Sequence, residues 1–160
     1  MKTMTSPTTD RRAVLTALNR CIEAASDAQK GYATAAADVR EPELKTLFQL
    51  RSDERAEYVL GLQRAVSELG GWPENRGTVE GALHRAWIEA RLALEGRNDA
   101  TVLTECERGE RSCLAAYDTL LFFAGSNATL PFSLRAMIAK QHDGVRAALG
   151  DILKRRLGRA

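Results

Sequence analysis

Leu103-Thr104-Glu105-Cys106-Glu107-Arg108-Gly109-Glu110 is the stretch on which the reading of the fold turns. Followed at three- and four-residue steps, it extends as Leu103, Cys106/Glu107, Glu110, Leu114, Tyr117 and Leu121, the stripe of an amphipathic helix. Two carboxylates, Glu107 and Glu110, interrupt that stripe one turn apart, on the side that should enter a core. Burying them unpaired would cost several kcal/mol, so their partners must come from other helices. The stretch therefore predicts a helical bundle wrapped around a polar layer.

Three more long stripes flank it. After an N-terminal segment over residues 1–9, expected to be flexible, Asp10 or a neighbouring Thr can cap a helix running to about Val39. Its stripe reads Val14, Leu18, Cys21/Ile22, Ala25, Ala28/Gln29, Tyr32, Ala35/Ala36 and Val39. The middle of that stripe is small, and Gly31 beside Tyr32 suits a close helix neighbour. Arg40-Glu41-Pro42 breaks the chain, and a second helix runs from Pro42 to about Leu69. Its stripe, Leu44, Leu47/Phe48, Arg51, Glu54/Arg55, Tyr58/Val59, Leu62, Val66 and Leu69, is again polar in the middle. Gly70-Gly71-Trp72-Pro73 stops it.

From Trp72 to Asp99 runs a long crossover with its own short helix, capped by Thr78. Val79, Leu83, Trp87 and Leu94 are expected to face the bundle, with Trp87 in the core. Glu95-Gly96-Arg97-Asn98-Asp99 ends that helix and caps the next, which extends from about Ala100 to Phe123. After the Gly125–Pro131 loop a last helix, roughly Phe132 to Leu157, carries Leu134, Ile138, Gln141/His142, Val145, Leu149 and Ile152. The expected fold is all-α: one four-helix-bundle domain over residues 10–158. Two antiparallel hairpins are joined by a crossover bearing a fifth helix, the connectivity of ferritin-like bundles. Strand alternation, phosphate loops, paired-cysteine motifs and nucleophile elbows are all missing from the sequence.

Composition sets the remaining bounds. The 160 residues suffice for a proper core, and 44% hydrophobic with 28% charged residues is a globular balance. A net charge of +2 with interspersed signs gives no field for nucleic acid. The Lys154-Arg155-Arg156 cluster with Arg159 suits a helix C-terminus. Three sparse cysteines fit a reducing compartment, and Cys106 and Cys113, roughly 10 Å apart on one helix, cannot form a disulfide. No window is apolar for long enough to span a bilayer, and Met1–Asp10 lacks a signal's apolar run, so a cytoplasmic location without membrane contact is expected. The triplet Asn127-Ala128-Thr129 carries no meaning without secretion.

The polar positions line up across the four helices. They are Gln29, then Arg51, Glu54 and Arg55, then Glu107 and Glu110, and finally His142. Carboxylates and histidines inside a bundle build di-iron and di-manganese centres, from single Glu residues and paired Glu-x-x-His motifs. Here Ala139 precedes His142 by three residues and Gly81 precedes His84, so neither histidine has its carboxylate. Arginines facing a dication also oppose it. We therefore expect Arg51 and Arg55 to pair with Glu107 and Glu110. The alternatives are a degenerate iron or manganese site from Glu107, Glu110 and His142, or a small-ligand pocket. His84 is expected to fix the crossover helix by a hydrogen bond, with Gly81 allowing close approach to a long helix.

Several stretches together resemble an uncharacterised bacterial family of ferritin-like four-helix-bundle proteins, one of the domain-of-unknown-function families. They are Gly31-Tyr32, Pro42–Phe48, Gly81-Ala82-Leu83-His84-Arg85-Ala86-Trp87, Glu105–Glu110 and His142–Arg146. The likeness runs from about Ala13 to Leu153. It implies distant similarity to bacterioferritin and rubrerythrin and brings no established activity. By the resemblance, His84, Arg85, Trp87, Glu105, Glu107, Arg108, Glu110 and His142 are motif residues. Ala37 and Arg111 stand where a typical member would carry acids, which weakens metal chemistry further.

The resulting expectation is a non-enzymatic bundle protein with no catalytic residues and no resident cofactor. It would have a stress-associated role exerted through a protein partner or through self-association as a dimer. Trp72, Trp87, Phe122 and Phe123 supply the bulky apolar surface for that contact. The alternative is an iron- or manganese-binding protein.

Overall fold

A computed structural model describes residues 7–75, 77, 79–95, 98–126 and 130–159. Five helices follow in order: α1 (Pro7–Asp38), α2 (Pro42–Glu68), α3 (Val79–Glu95), α4 (Asp99–Ser126) and α5 (Phe132–Leu157). Among the described residues there is no strand. None of the helices is long and apolar enough to cross a membrane. Breaks fall at Pro42, Gly70-Gly71 and Pro131 as expected, although α1 already begins at Pro7 and α4 runs on through Gly125 to Ser126. Gly70 adopts φ 71°, and Gly70 and Gly71 donate to Ser67 and Val66 carbonyls at 2.9 Å, closing α2 in the left-handed manner glycine permits. Arg11 on α1 adds a side-chain cap, its Nε donating to the Leu69 carbonyl at 3.0 Å.

Specific hydrogen bonds set the helix directions. Arg11 meets Leu69, and the Ser52 hydroxyl donates to the Gln29 carbonyl at 3.0 Å, so α1 and α2 run antiparallel. The Tyr117 hydroxyl donates to Gln141 Oε1 at 2.7 Å, and Arg156 pairs with Glu107, so α4 and α5 are antiparallel as well. Asp99 opens α4 and accepts from the Arg40 and Glu41 backbone amides at 2.8 and 3.1 Å, tying the α1–α2 turn to the start of α4. α1 packs between α2 and α4, α5 between α4 and α2, and α2 and α4 lie at opposite corners, running in the same direction.

The core forms two apolar clusters. One contains Leu18, Ile22, Leu62, Tyr117, Leu120 and Ile138. The other contains Val39, Leu44, Phe48, Leu103 and Ile152. Burying each such side chain contributes about 1.5–3 kcal/mol. Buried polar residues, Ser52 and Arg55 on α2 and Glu110 on α4, stand between the two clusters. Burial follows the expected stripes on α1, α2 and α5. On α4 it rotates: Cys113, Leu120 and Ala124 are buried, while Leu114 and Leu121 are only partly so. A helix flanked by two neighbours buries a face wider than one stripe, so both sides of the expected line are used.

The crossover helix needs a larger correction. Leu83 and Trp87 are exposed rather than core residues, and Gly81, His84, Arg85 and Ile88 line the inner side instead. α3 lies over the charged rim of α1 and α4, and its polar side pairs with that rim. Thr78, Gly96 and Asn127–Thr129 lie outside the described residues, as do the side chains of Val79 and Leu94.

Candidate functional site

The polar layer is organised by Arg55, whose side chain is fully buried. From α2 it crosses the bundle diagonal, and its Nη2 donates to Glu110 Oε1 on α4 at 2.7 Å. Its Nη1 donates to Glu54 Oε2 at 2.8 Å. Glu54 also accepts from Arg51 at 3.0 Å and from the Tyr58 hydroxyl at 3.1 Å. Arg51 in turn reaches Asp151 on α5 at 2.8 Å. The guanidinium sits 5.1 Å from the Tyr58 ring centre and 6.0 Å from that of Tyr32, a favourable setting for a buried cation. Burial opposes the Arg55 charge, but the surrounding acidic groups outweigh it and its pKa is raised. Burial also pushes the Glu110 carboxyl up, against the pull of Arg55.

Arg55 and Glu110 thus meet as expected, but Glu107 does not join them. It accepts from Arg111 Nε at 2.9 Å and pairs with Arg156, near the surface of the α4–α5 seam. Three residues before Glu110 on a 3.6-residue helix, its side chain is rotated toward α5. Arg51 takes Glu54 and Asp151 instead, and Gln29 contributes its backbone carbonyl. His142 is also outside the layer, its Nε2 lying 2.8 Å from Asp118 on the outer part of the same seam. Gln141 takes the inward place and bonds Tyr117.

Glu107, Glu110 and His142 therefore do not fit a common metal ion. Among the described residues no three His, Cys, Asp or Glu side chains are grouped to hold one. The three cysteines are free, and burial pushes the Cys21 thiol up to about 12.

On the other side of Glu110 a cleft of about 350 Å³ opens between α1, α3 and α4. Its rim is charged. His84 Nε2 lies 2.8 Å from Glu105, Arg108 Nη1 lies 3.1 Å from the His84 ring, and Arg85 pairs with Asp27 at 3.0 Å. The His84 ring also stacks on Trp87 at 5.9 Å. Gly81 lies so close to Asp27 that any Cβ there would overlap the carboxylate. Inside, the walls are Ala24, Ala28, Gly31 and Ala35 of α1 against Val102, Gly109 and Ala116 of α4. A Cβ at Gly31 or Gly109 would meet no other heavy atom within 4 Å. Each glycine costs about 1 kcal/mol against alanine in a helix interior, and neither is demanded by packing.

At the bottom of the cleft stand Tyr32 and Glu110, 3% and 1% exposed. Tyr32 and Glu110 face each other closely enough to interact, but no well-formed hydrogen bond satisfies Tyr32 Oη, Glu110 Oε2 or the neighbouring Arg55 Nε.

The family described as domain of unknown function DUF2383 matches residues 13–122, more than half of the chain. The chain belongs to this family. A crystal structure of a Xanthomonas campestris protein shares the fold, with a TM-score of 0.74 over 94% of this chain and 92% of that one, at 16% identity. None of the curated proteins matches.

The stretch matched by the DUF2383 family spans α1 to most of α4. It therefore holds Tyr32, Arg55, His84, Arg85, Glu105, Arg108 and Glu110, the residues of the layer and the cleft. Asp151, Asp118 and Arg156 were not anticipated as partners from sequence. Their only signal was an acid or base one step off a buried stripe. The cleft was not anticipated in place, although Gly31 and Gly109, glycines within helices, marked its two walls.

Proposed function

We propose that this protein is a non-enzymatic ferritin-like bundle in which an arginine–carboxylate network stands where such bundles carry a metal centre. The single observation that carries the reading is the Arg55–Glu110 pair across the bundle diagonal. A fully buried guanidinium bonded to the central carboxylate occupies a ligand atom and places a fixed positive charge beside any incoming dication. The up-down-down-up helix order with its long crossover supports the ferritin-like assignment.

The protein then works by association. Its most exposed aromatic residues, Trp72 (92%), Phe122 (72%) and Phe132 (79%), all belong to the end of the bundle where α2 and α4 finish and α5 starts. That end is the contact we assign to a second copy of the chain.

The deciding experiment is metal analysis of purified protein, with melting followed in chelator. A protein without iron, manganese or zinc, whose Tm chelator leaves in place, is the expected result. A metal bound only to the folded state must stabilise it, so a Tm that drops in chelator and recovers with iron or manganese refutes the reading.

A further inference from the structure

We infer that the cleft between α1, α3 and α4 binds a small, mostly apolar molecule whose N–H or O–H head donates to Glu110 and Tyr32. Three observations converge. The volume, about 350 Å³, lies at the lower end of ligand pockets, which run from roughly 300 to 1,000 Å³. Gly31 and Gly109 hold open space that the Cβ of an alanine would enter without meeting any heavy atom within 4 Å. Glu110 Oε2 and Tyr32 Oη, both nearly inaccessible, face each other at the bottom of the cleft without a well-formed hydrogen bond to satisfy either. Buried polar groups are almost always fully paired, and the loose Tyr32–Glu110 contact leaves acceptor capacity that a donor entering the cleft would fill.

The charge pattern selects the head group. Glu110 Oε1 is taken by Arg55, which leaves Oε2 as an acceptor. Glu105 and Asp27 stand on the rim, already engaged by His84 and Arg85. An acid in the ligand would meet Glu110 with like charge, whereas an alcohol or amine supplies the missing donor. The small-residue walls accept a flat or slender apolar body behind that head.

The test uses the intact chain and 1-aminoanthracene, an apolar fluorophore with an amine head. Saturable fluorescence enhancement at one site per chain is expected, with displacement by benzyl alcohol at least tenfold more effective than by toluene or benzoate. Gly31→Leu should grow into the cleft and weaken probe binding more than tenfold while helicity and Tm are kept. Should Gly31→Leu lose its fold, Tyr32→Phe decides: it keeps the ring and the fold and should narrow the preference for benzyl alcohol over toluene at least fivefold. Unsaturable or no binding by the native chain, unchanged binding by folded Gly31→Leu, or an unchanged alcohol preference in Tyr32→Phe overturns the inference.

Discussion

At the scale of single residues, the diagonal pair is the most sensitive point of the molecule. Glu110→Ala strips Arg55 of its partner on α4 while Glu54 remains. Removing one member of a buried pair costs about 3–5 kcal/mol, and urea unfolding of Glu110→Ala should show a loss near the low end of that range. A joint Arg55→Met, Glu110→Leu variant should recover most of it, because an apolar replacement leaves no charge uncompensated. Glu107 behaves differently. Its hydrogen bond from Arg111, with help from Arg156, outweighs desolvation and holds its carboxyl below 4.5. A depressed folded pKa contributes stability that is present above 4.5 and lost as pH falls through the folded value. Melting curves taken between pH 5 and about 2 should fall less steeply for Glu107→Gln than for the native chain. Glu110, with its raised pKa, acts with the opposite sign: its contribution is lost as pH rises.

Among the elements, α3 is the one attached by its polar side. His84–Glu105, Arg108–His84 and Arg85–Asp27 hold it over the cleft, with Leu83 and Trp87 turned out. Few buried apolar contacts mean a low local opening energy. Gly81→Ala forces the Asp27 carboxylate aside, even though alanine favours a helix by about 1 kcal/mol. Hydrogen exchange of Gly81→Ala should therefore speed up over 79–95 and stay native over α1, α2, α4 and α5. Uniform protection would mean that Asp27 yields freely and that the close approach is unimportant.

Across the whole molecule, the end carrying Trp72, Phe122 and Phe132 is the prominent apolar surface. Phe123, expected beside them, packs against the core and edge-on to Phe122 at 5.4 Å. Light scattering at micromolar concentration should give twice the 17.5 kDa chain mass, and Phe122→Ser with Phe132→Ser should return it to one chain. A native chain that scatters as a monomer throughout would remove the assigned contact.

The sequence by itself determined the helices and the inward sides of α1, α2 and α5. Periodic apolar residues such as Leu18, Leu62 and Ile138, punctuated by Pro42, Gly70-Gly71 and Pro131, leave one way to bury a stripe per helix. It also determined that Glu110 needs a buried cation, since an unpaired carboxylate cannot stay in a core, and Arg55 supplies it. Which of several polar candidates would meet was decided only by tertiary structure. Glu107 and Glu110 differ by three residues, yet the 60° between them sends one to Arg156 on α5 and the other to Arg55 on α2. The outward turn of Trp87 on α3 is of the same kind. Hydropathy predicted a buried tryptophan, but the surface beneath α3 is the charged rim of Asp27 and Glu105, and ion pairs with that rim set the rotation of the helix. The cleft, too, is made by the packing of α1, α3 and α4, which brings Gly31 and Gly109 to one cavity, a matter of register that no single stripe contains.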